Sequence, residues 1–267
     1  MKYRNDLKYF IRADQLTPIE QFDKEIFNTG ESVYEVVRIQ NTKVLFLADH
    51  LNRLQHSLNL IYGHFQCSKS ALEDDLNLLI QANKITEGNI KIELRKKDNT
   101  FLRLLYFIPH RYPTYEQIEK GIQMRFQFDE RPMPNAKISN WDVRGKANSI
   151  IDKHHIYETL LVNTKGFVTE GSRSNIFFIK NKILYSPPNE WILPGITRSK
   201  VLEICKLQNI EVIHKNIHYN KLHKYEAAFI TGTSPGVLQI RQIETTNFKI
   251  DHEIYHLIFE SYKNLIK

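Results

Sequence analysis

EGSRSNIFFIKNKILYSPPNEWILPGITR, residues 170–198, decides how the chain folds. Two apolar runs, 175–180 and 183–185, flank Asn181-Lys182 and read as strand, turn, strand. Pro194-Gly195 then breaks the chain, and Thr197 opens an amphipathic helix expected to turn Val201, Leu202, Cys205 and Leu207 inward. The same alternation continues on both sides. Upstream, residues 33–39 and 44–47 form a hairpin around 40–43. A helix capped by Asp49 and stopped by Gly63 follows, with Leu51, Leu54, Leu58 and Ile61 on one face. A second amphipathic helix carries Leu72, Leu76, Leu79 and Ile80, and strands are expected over 89–95 and 101–108. Further along, strands are expected over 121–128, 157–163 and 227–231 and a helix over 148–155. The last helix aligns Ile250, Ile254, Leu257, Ile258, Tyr262 and Leu265. The fold class is α/β (α+β). HRYPTYEQIEKG, residues 110–121, is polar and aperiodic. It reads as the linker between a smaller N-terminal α/β domain over 1–112 and a larger C-terminal domain over 118–267.

The composition excludes several classes. Of 267 residues, 42% are hydrophobic and 25% charged, so collagen-like and wholly disordered chains are ruled out. The net charge of +7 invites a nucleic-acid partner. However, the densest basic run, Arg95-Lys96-Lys97, ends at Asp98, the rest is scattered, and no nucleic-acid-binding motif occurs. Cys67 and Cys205 form no CxxC pattern, which argues against a disulfide framework, and no metal site is expected. MKYRNDLKYF lacks the apolar core of a signal peptide, and no apolar run approaches the roughly twenty residues that span a bilayer. The expectation is a soluble cytoplasmic protein with neither membrane nor nucleic-acid partner.

Four segments carry unusual chemistry. LPGITR (193–198) leaves the backbone N–H groups of Ile196 and Thr197 beside a hydroxyl at a helix start, a ready phosphate cradle or simply a Thr-capped helix. ITGTSPG (230–236) is a hydroxyl-rich turn after an apolar strand, able to close on an anion or merely to end the strand. In VTEGSRSNIFFI (168–179), Glu170 stands between a strand end and a Gly-Ser turn, where a solvated glutamate is the ordinary alternative. AKISNWDVRGK (136–146) offers Lys137 and Lys146 among many lysines. Together with an arginine, these are the groups that pyridoxal phosphate requires. An amine takes its aldehyde, a carboxylate keeps its ring nitrogen protonated, and guanidinium and helix-end N–H groups hold its phosphate.

With these motifs the sequence resembles the class IV aminotransferases. These fold-type IV pyridoxal-phosphate enzymes include branched-chain and D-amino-acid aminotransferases and aminodeoxychorismate lyases. The resemblance runs from about Gly30 to the last helix, and SVYEVVRI (32–39) and HLNRL (50–54) extend it into the N-terminal half. It implies two domains with the cofactor in the interdomain cleft, and a homodimer. It implies Lys137, in the K-x-x-N of residues 137–140, as the catalytic Schiff-base lysine. Lys146 is the competitor, but only Lys137 leaves room for a full helix before Glu170. For the cofactor it implies Glu170 at the pyridine nitrogen and Leu193 against the ring. Arg53, Ile196, Thr197 and Thr233 would hold the phosphate. His50, Arg53 and Ser57 share a helix face offset from the leucine stripe.

The implied reaction is ping-pong transfer of an amino group between an amino acid, branched-chain L- or D-, and a 2-oxo acid. The alternative is an aminodeoxychorismate lyase releasing 4-aminobenzoate and pyruvate. Val36 favours transfer, because the lyases tend to carry a threonine there and valine can neither donate nor accept a proton. Residues 92–106 match neither aminotransferase carboxylate-binding pattern. Tyr34, Arg38, Lys91 and Ser234 are the candidate substrate contacts, with Lys91 where the lyases also place a lysine.

Overall fold

The computed structural model describes residues 7–23, 32–63, 65–97, 100–139 and 141–267, with the side chains of Lys97 and Trp141 outside the description. The chain divides into two compact units. The first comprises Met1–Arg111 with Ala136–Ser139, and the second comprises Tyr112–Asn135 with Asn140–Lys267.

The first unit contains strands β1 (Tyr9–Arg12), β2 (Gln15–Pro18), β3 (Ser32–Gln40) and β4 (Lys43–Val44), then helices α1 (Leu47–Tyr62) and α2 (Lys69–Asn83), then β5 (Gly88–Lys97) and β6 (Thr100–Ile108). The strands form one antiparallel sheet in the order β2-β1-β6-β5-β3-β4. Alternation along β3 splits its residues between two faces. Val33, Val37 and Ile39 join a core with Leu51, Leu54 and Leu58 of α1 and Leu72, Leu76 and Leu79 of α2. Asn41 and Thr42 both take positive φ, the geometry of a two-residue hairpin turn that starts β4 at Lys43, and the strand ends at Val44, before Phe46 turns left-handed at the start of α1. Helix α1 starts two residues before the expected cap, Asp49, which instead sits in its first turn; Gly63 ends it at φ 73°. Ser68 caps α2 by accepting from the Ala71 N–H.

The second unit begins inside the expected linker. Thr114 and Gln117 make a reciprocal capping box that starts α3 (Tyr115–Lys120), which aperiodicity alone hides. Next come β7 (Ile122–Phe128) and α4 (Trp141–His154), a helix longer than expected. Strands β8 (Glu158–Val162), β9 (Val168–Gly171), β10 (Asn175–Lys180) and β11 (Ile183–Ser186) follow, then α5 (Ile196–Leu207) and β12 (Val212–His214). The chain ends with β13 (Ala227–Gly232), β14 (Gly236–Ile243), β15 (Thr246–Asn247) and α6 (Glu253–Leu265). The sheet is mixed, in the order β12-β11-β10-β13-β14-β7-β8-β9 with β15 on β14; β14–β7, β7–β8 and β11–β12 are parallel. On α5 the buried stripe is Thr197, Val201, Ile204 and Cys205, and Leu207, about 120° round the helix from Val201, is exposed. On α6 the buried stripe is Tyr255, Ile258 and Tyr262, while Leu257 and Leu265 are exposed.

Among the described residues no helix is long and apolar enough to cross a membrane, and no His/Cys/Asp/Glu group is arranged to hold a metal. Cys67 and Cys205 are both free.

Candidate active site

Lys137 is fixed by its backbone. The Tyr34 N–H donates to Lys137 O at 3.0 Å and the Ser139 N–H to Ser32 O at 3.0 Å, so residues 137–139 run along the edge of β3. The Lys137 N–H donates to Ser57 Oγ on α1 at 3.1 Å. Its Nζ then lies 5.1 Å from the Tyr34 ring centroid, a cation–π distance. This pairing explains why 136–139 belongs to the first unit, although it lies within 118–267 in sequence. Asn140, the last residue of the K-x-x-N pattern, lies outside the described residues. Lys146 is exposed on α4 and paired with Asp129 at 2.9 Å.

Ser57 is one helical turn from Arg53, so one face of α1 serves both residues. Arg53 is buried and its charge is met by Glu35 of β3. Nε donates to Oε1 and Nη2 to Oε2, both at 2.7 Å. His50 Nδ1 lies 2.9 Å from the same Oε2. Burial opposes ionisation of Glu35, but the Arg53 charge and the hydrogen bonds from Arg53 and His50 outweigh it and hold the carboxyl well below its usual range. Burial also lowers the His50 pKa, so the imidazole is neutral at pH 7 and donates from Nδ1 to the carboxylate. Glu35 takes two of the five guanidinium donors and thereby fixes where the others point.

On the opposite face of β3 lie Tyr34, Val36 and Arg38. Tyr34 is buried, and Val36 and Arg38 are half-buried. Lys91 on β5 is the register partner of Val36, and its Nζ lies 4.8 Å from the Tyr34 centroid. Tyr34 therefore carries two lysines, Lys91 and Lys137.

In the second unit Glu170 lies inside β9 rather than after a strand end, and it is buried. Its Oε2 accepts from the Leu193 N–H at 3.1 Å and from Asn175 Nδ2 at 3.2 Å. Its Oε1 pairs with Arg131 Nε at 3.0 Å. Asn175 Nδ2 also donates to Leu193 O at 2.9 Å, locking buried Leu193 beside the carboxylate.

The first turn of α5 contains Ile196 and Thr197, both buried. Its N-cap is Gly195, not Thr197, and no side chain caps the helix. The glycine is required by close approach, since a Cβ there would stand 2.0 Å from Asn175 Oδ1. The N-cap therefore offers the first-turn N–H groups no side-chain acceptor, an arrangement that suits an anion. Buried Arg198 donates from Nη2 to Asn189 Oδ1 at 2.7 Å; burial lowers its pKa to about 10 against the opposing charge of Glu170. Thr233 and Ser234 are half-buried in the turn between β13 and β14, where Gly236 takes φ +62°.

Sequence reading missed Glu35, Arg131, Asn175 and Ser139. Glu35 had a signal, being a lone charge between Val33, Val37 and Ile39 on an otherwise apolar strand face. Arg131 and Asn175 had none, because their partners are distant in sequence.

The sequence pattern described as amino-transferase class IV matches residues 32–243. The chain belongs to the class IV aminotransferases. It is 27% identical over 258 residues to a protein of Aquifex aeolicus (strain VF5) named a probable branched-chain-amino-acid aminotransferase, covering 86% of this chain and 82% of that one. It is 27% identical over 230 residues to a D-alanine aminotransferase of Bacillus licheniformis, covering 82% and 81%. The solved branched-chain amino acid aminotransferase of Escherichia coli shares the fold at TM-score 0.86 and 20% identity, covering 97% of this chain and 94% of that one.

Class IV aminotransferases use pyridoxal 5′-phosphate. The residues present suit it: a backbone-anchored lysine amine, a buried carboxylate in a fixed orientation, a guanidinium held by its own counter-ion, and a helix N-terminus whose cap has no side chain.

Proposed function

We propose that this class IV aminotransferase moves an amino group between an amino acid, branched-chain L- or D-, and a 2-oxo acid. One observation carries the proposal: the main chain of Lys137 is stitched to β3 and α1, which holds its Nζ 5.1 Å from the Tyr34 centroid. When bound, pyridoxal phosphate supplies an electron sink for the bonds at the substrate Cα. The chain's residues do the rest. Lys137 Nζ would hold the cofactor's aldehyde group and, as a neutral amine, would take and return the proton at the substrate Cα. The Glu170 carboxylate, oriented by Asn175 and the Leu193 N–H, would hold a proton at the ring nitrogen, and Leu193 would pack against the ring. Arg53, the Ile196 and Thr197 N–H groups and the Thr233 hydroxyl would hold the phosphate. Tyr34, Arg38, Lys91 and Ser234 orient the substrate. Binding and release of two partners in turn makes the kinetics ping-pong. A cytoplasmic homodimer completes the reading.

Aminodeoxychorismate lyase is the second reading. Lys91 favours it, since it occupies a position where the lyases also place a lysine. Val36, its register partner, opposes it, because it leaves no hydroxyl at that point of β3. The test is a panel of L- and D-amino acids with 2-oxoglutarate or pyruvate, plus aminodeoxychorismate scored for pyruvate release. Amino transfer to an oxo acid supports the first reading; pyruvate release from aminodeoxychorismate without any transfer overturns it. Sedimentation velocity tests the dimer.

A further inference from the structure

The sheet face that carries Tyr34 also holds a buried carboxylate that the proposed reaction does not use. Glu93 on β5 is the register partner of Tyr34 and is fully buried. Its Oε1 accepts from Ser32 Oγ at 2.5 Å and from Arg95 Nη2 at 2.8 Å. Its Oε2 accepts from the Tyr106 hydroxyl at 2.6 Å and pairs with Lys91 Nζ at 2.9 Å. Ser32 Oγ lies 2.9 Å from Ser139 Oγ, two residues past Lys137. One carboxylate therefore gathers groups from β3, β5 and β6 and reaches the segment that carries the reactive lysine.

Two physical consequences follow. A lysine head on a four-carbon stem samples many rotamers and loses that freedom when it meets a ligand. The Lys91 head is already fixed by Glu93, with the Tyr34 centroid at 4.8 Å and the Tyr106 centroid at 5.8 Å, so that loss falls on folding instead of binding. The second consequence concerns charge. Lys91, Arg95 and Glu93 together leave one net positive charge on this face. Lys91 is its outermost member, with 12% of its side chain exposed against 3% for Arg95 and none for Glu93. An approaching anion thus meets Lys91. Without Glu93, the like charges of Lys91 and Arg95 would push the mobile lysine outward.

We propose that Glu93 is a positioning residue, which holds the Lys91 ammonium over the Tyr34 ring to receive a carboxylate of the amino-acid or oxo-acid substrate. The inference rests on the aminotransferase reading and on Lys91 as a substrate contact.

The test uses the holoenzyme with two unreactive probes, the monocarboxylate 4-methylvalerate and the dicarboxylate glutarate, titrated calorimetrically beside steady-state KM and kcat. Lys91→Met and Glu93→Gln should each weaken probe binding about tenfold or more, the loss of one charge-assisted contact, and raise KM by a similar factor. For Glu93→Gln, kcat should stay within about twofold. The double variant Lys91→Met/Glu93→Gln should bind no worse than Lys91→Met, because the second residue acts through the first. Equal weakening of both probes assigns the carboxylate shared by all substrates; weakening of glutarate alone assigns a side-chain carboxylate. Should Glu93→Gln fail to fold, Glu93→Asp keeps the charge and withdraws it by one methylene, and a several-fold weakening is expected. Unchanged probe affinity in Lys91→Met or in Glu93→Asp overturns the inference, as does a double variant whose loss is the product of the two single losses. Absence of amino transfer in the parent enzyme would instead remove the reading on which the inference stands.

Discussion

Replacing Glu35 by glutamine should destabilise the protein more than any exposed charge removal. Glu35 is fully buried and accepts three charge-assisted or buried contacts: two from Arg53 at 2.7 Å and one from His50 at 2.9 Å. Glutamine retains one acceptor oxygen and turns an NH2 group toward the remaining donors. Hydrogen bonds to charged groups contribute about 1.5–3 kcal/mol each, so losing two costs about 3–6 kcal/mol. Breaking a buried ion pair by removing one partner gives a similar figure, about 3–5 kcal/mol. Urea titration of the full chain followed by circular dichroism measures the loss directly. Thermal unfolding should shift down by about 6–24 °C, at about 2–4 °C per kcal/mol. A control separates stability from function. Glu35→Leu/Arg53→Met removes both charges, so it should recover most of the stability yet bind pyridoxal phosphate far more weakly.

The pair also sets a pH dependence. The folded-state pKa of Glu35 lies below its ordinary value of 4.5, so its contribution is fully present above that pH and is lost as pH falls below it. Glu35→Gln should flatten that acid limb. A stability loss under about 1 kcal/mol, the range of exposed pairs, with an unchanged acid limb, would refute the reasoning.

Three further outcomes are expected. Lys137→Ala should abolish turnover and the cofactor's visible absorbance band while leaving the fold intact, because its anchoring contacts are main-chain; Lys146→Ala, at an exposed pair with Asp129, should change neither, and the reverse pattern would reassign the lysine. Glu170→Ala should leave the cofactor bound, as absorbance reports, but slow turnover by at least about a hundredfold, the usual scale of acid–base assistance; undiminished turnover would remove its role. Gly195→Ala places a methyl 2.0 Å from Asn175 Oδ1 and should weaken cofactor binding in equilibrium dialysis, whereas parental affinity would show that the start of α5 is not a phosphate site.

The legibility of this chain in its sequence differs by scale. Periodicity located the core helices well. The Leu51/Leu54/Leu58 stripe of α1 and its Gly63 stop are where the pattern puts them, since local propensity and tertiary burial agree there. It failed at α3, which rests on a Thr114 capping box and presents no apolar stripe, and at β9, whose four residues are too few to show alternation. The order of the candidate residues was legible from short motifs. Their supports were not, because Arg131 meets Glu170, and Ser57 meets Lys137, only after distant segments pair. Glu93 lay in a stretch, 92–106, that matched no expected pattern. Its register opposite Tyr34, not its neighbours in sequence, gives it meaning.

The four residues 136–139 have a second effect, on solubility. Among the described residues, β4 covers β3 only at Ile39 and Gln40, so the opposite end of that edge would expose main-chain donors and acceptors. The Lys137 segment occupies them through Tyr34 and Ser32. An open strand edge is a template for pairing with another chain. The peptide that carries Lys137 therefore also covers main-chain groups of β3 that would otherwise be open to pairing with another chain. Selection on it should act on main-chain shape as well as on chemistry, so that a proline at Ser139, which removes one of these hydrogen bonds, would favour aggregation even in a chain already lacking the lysine.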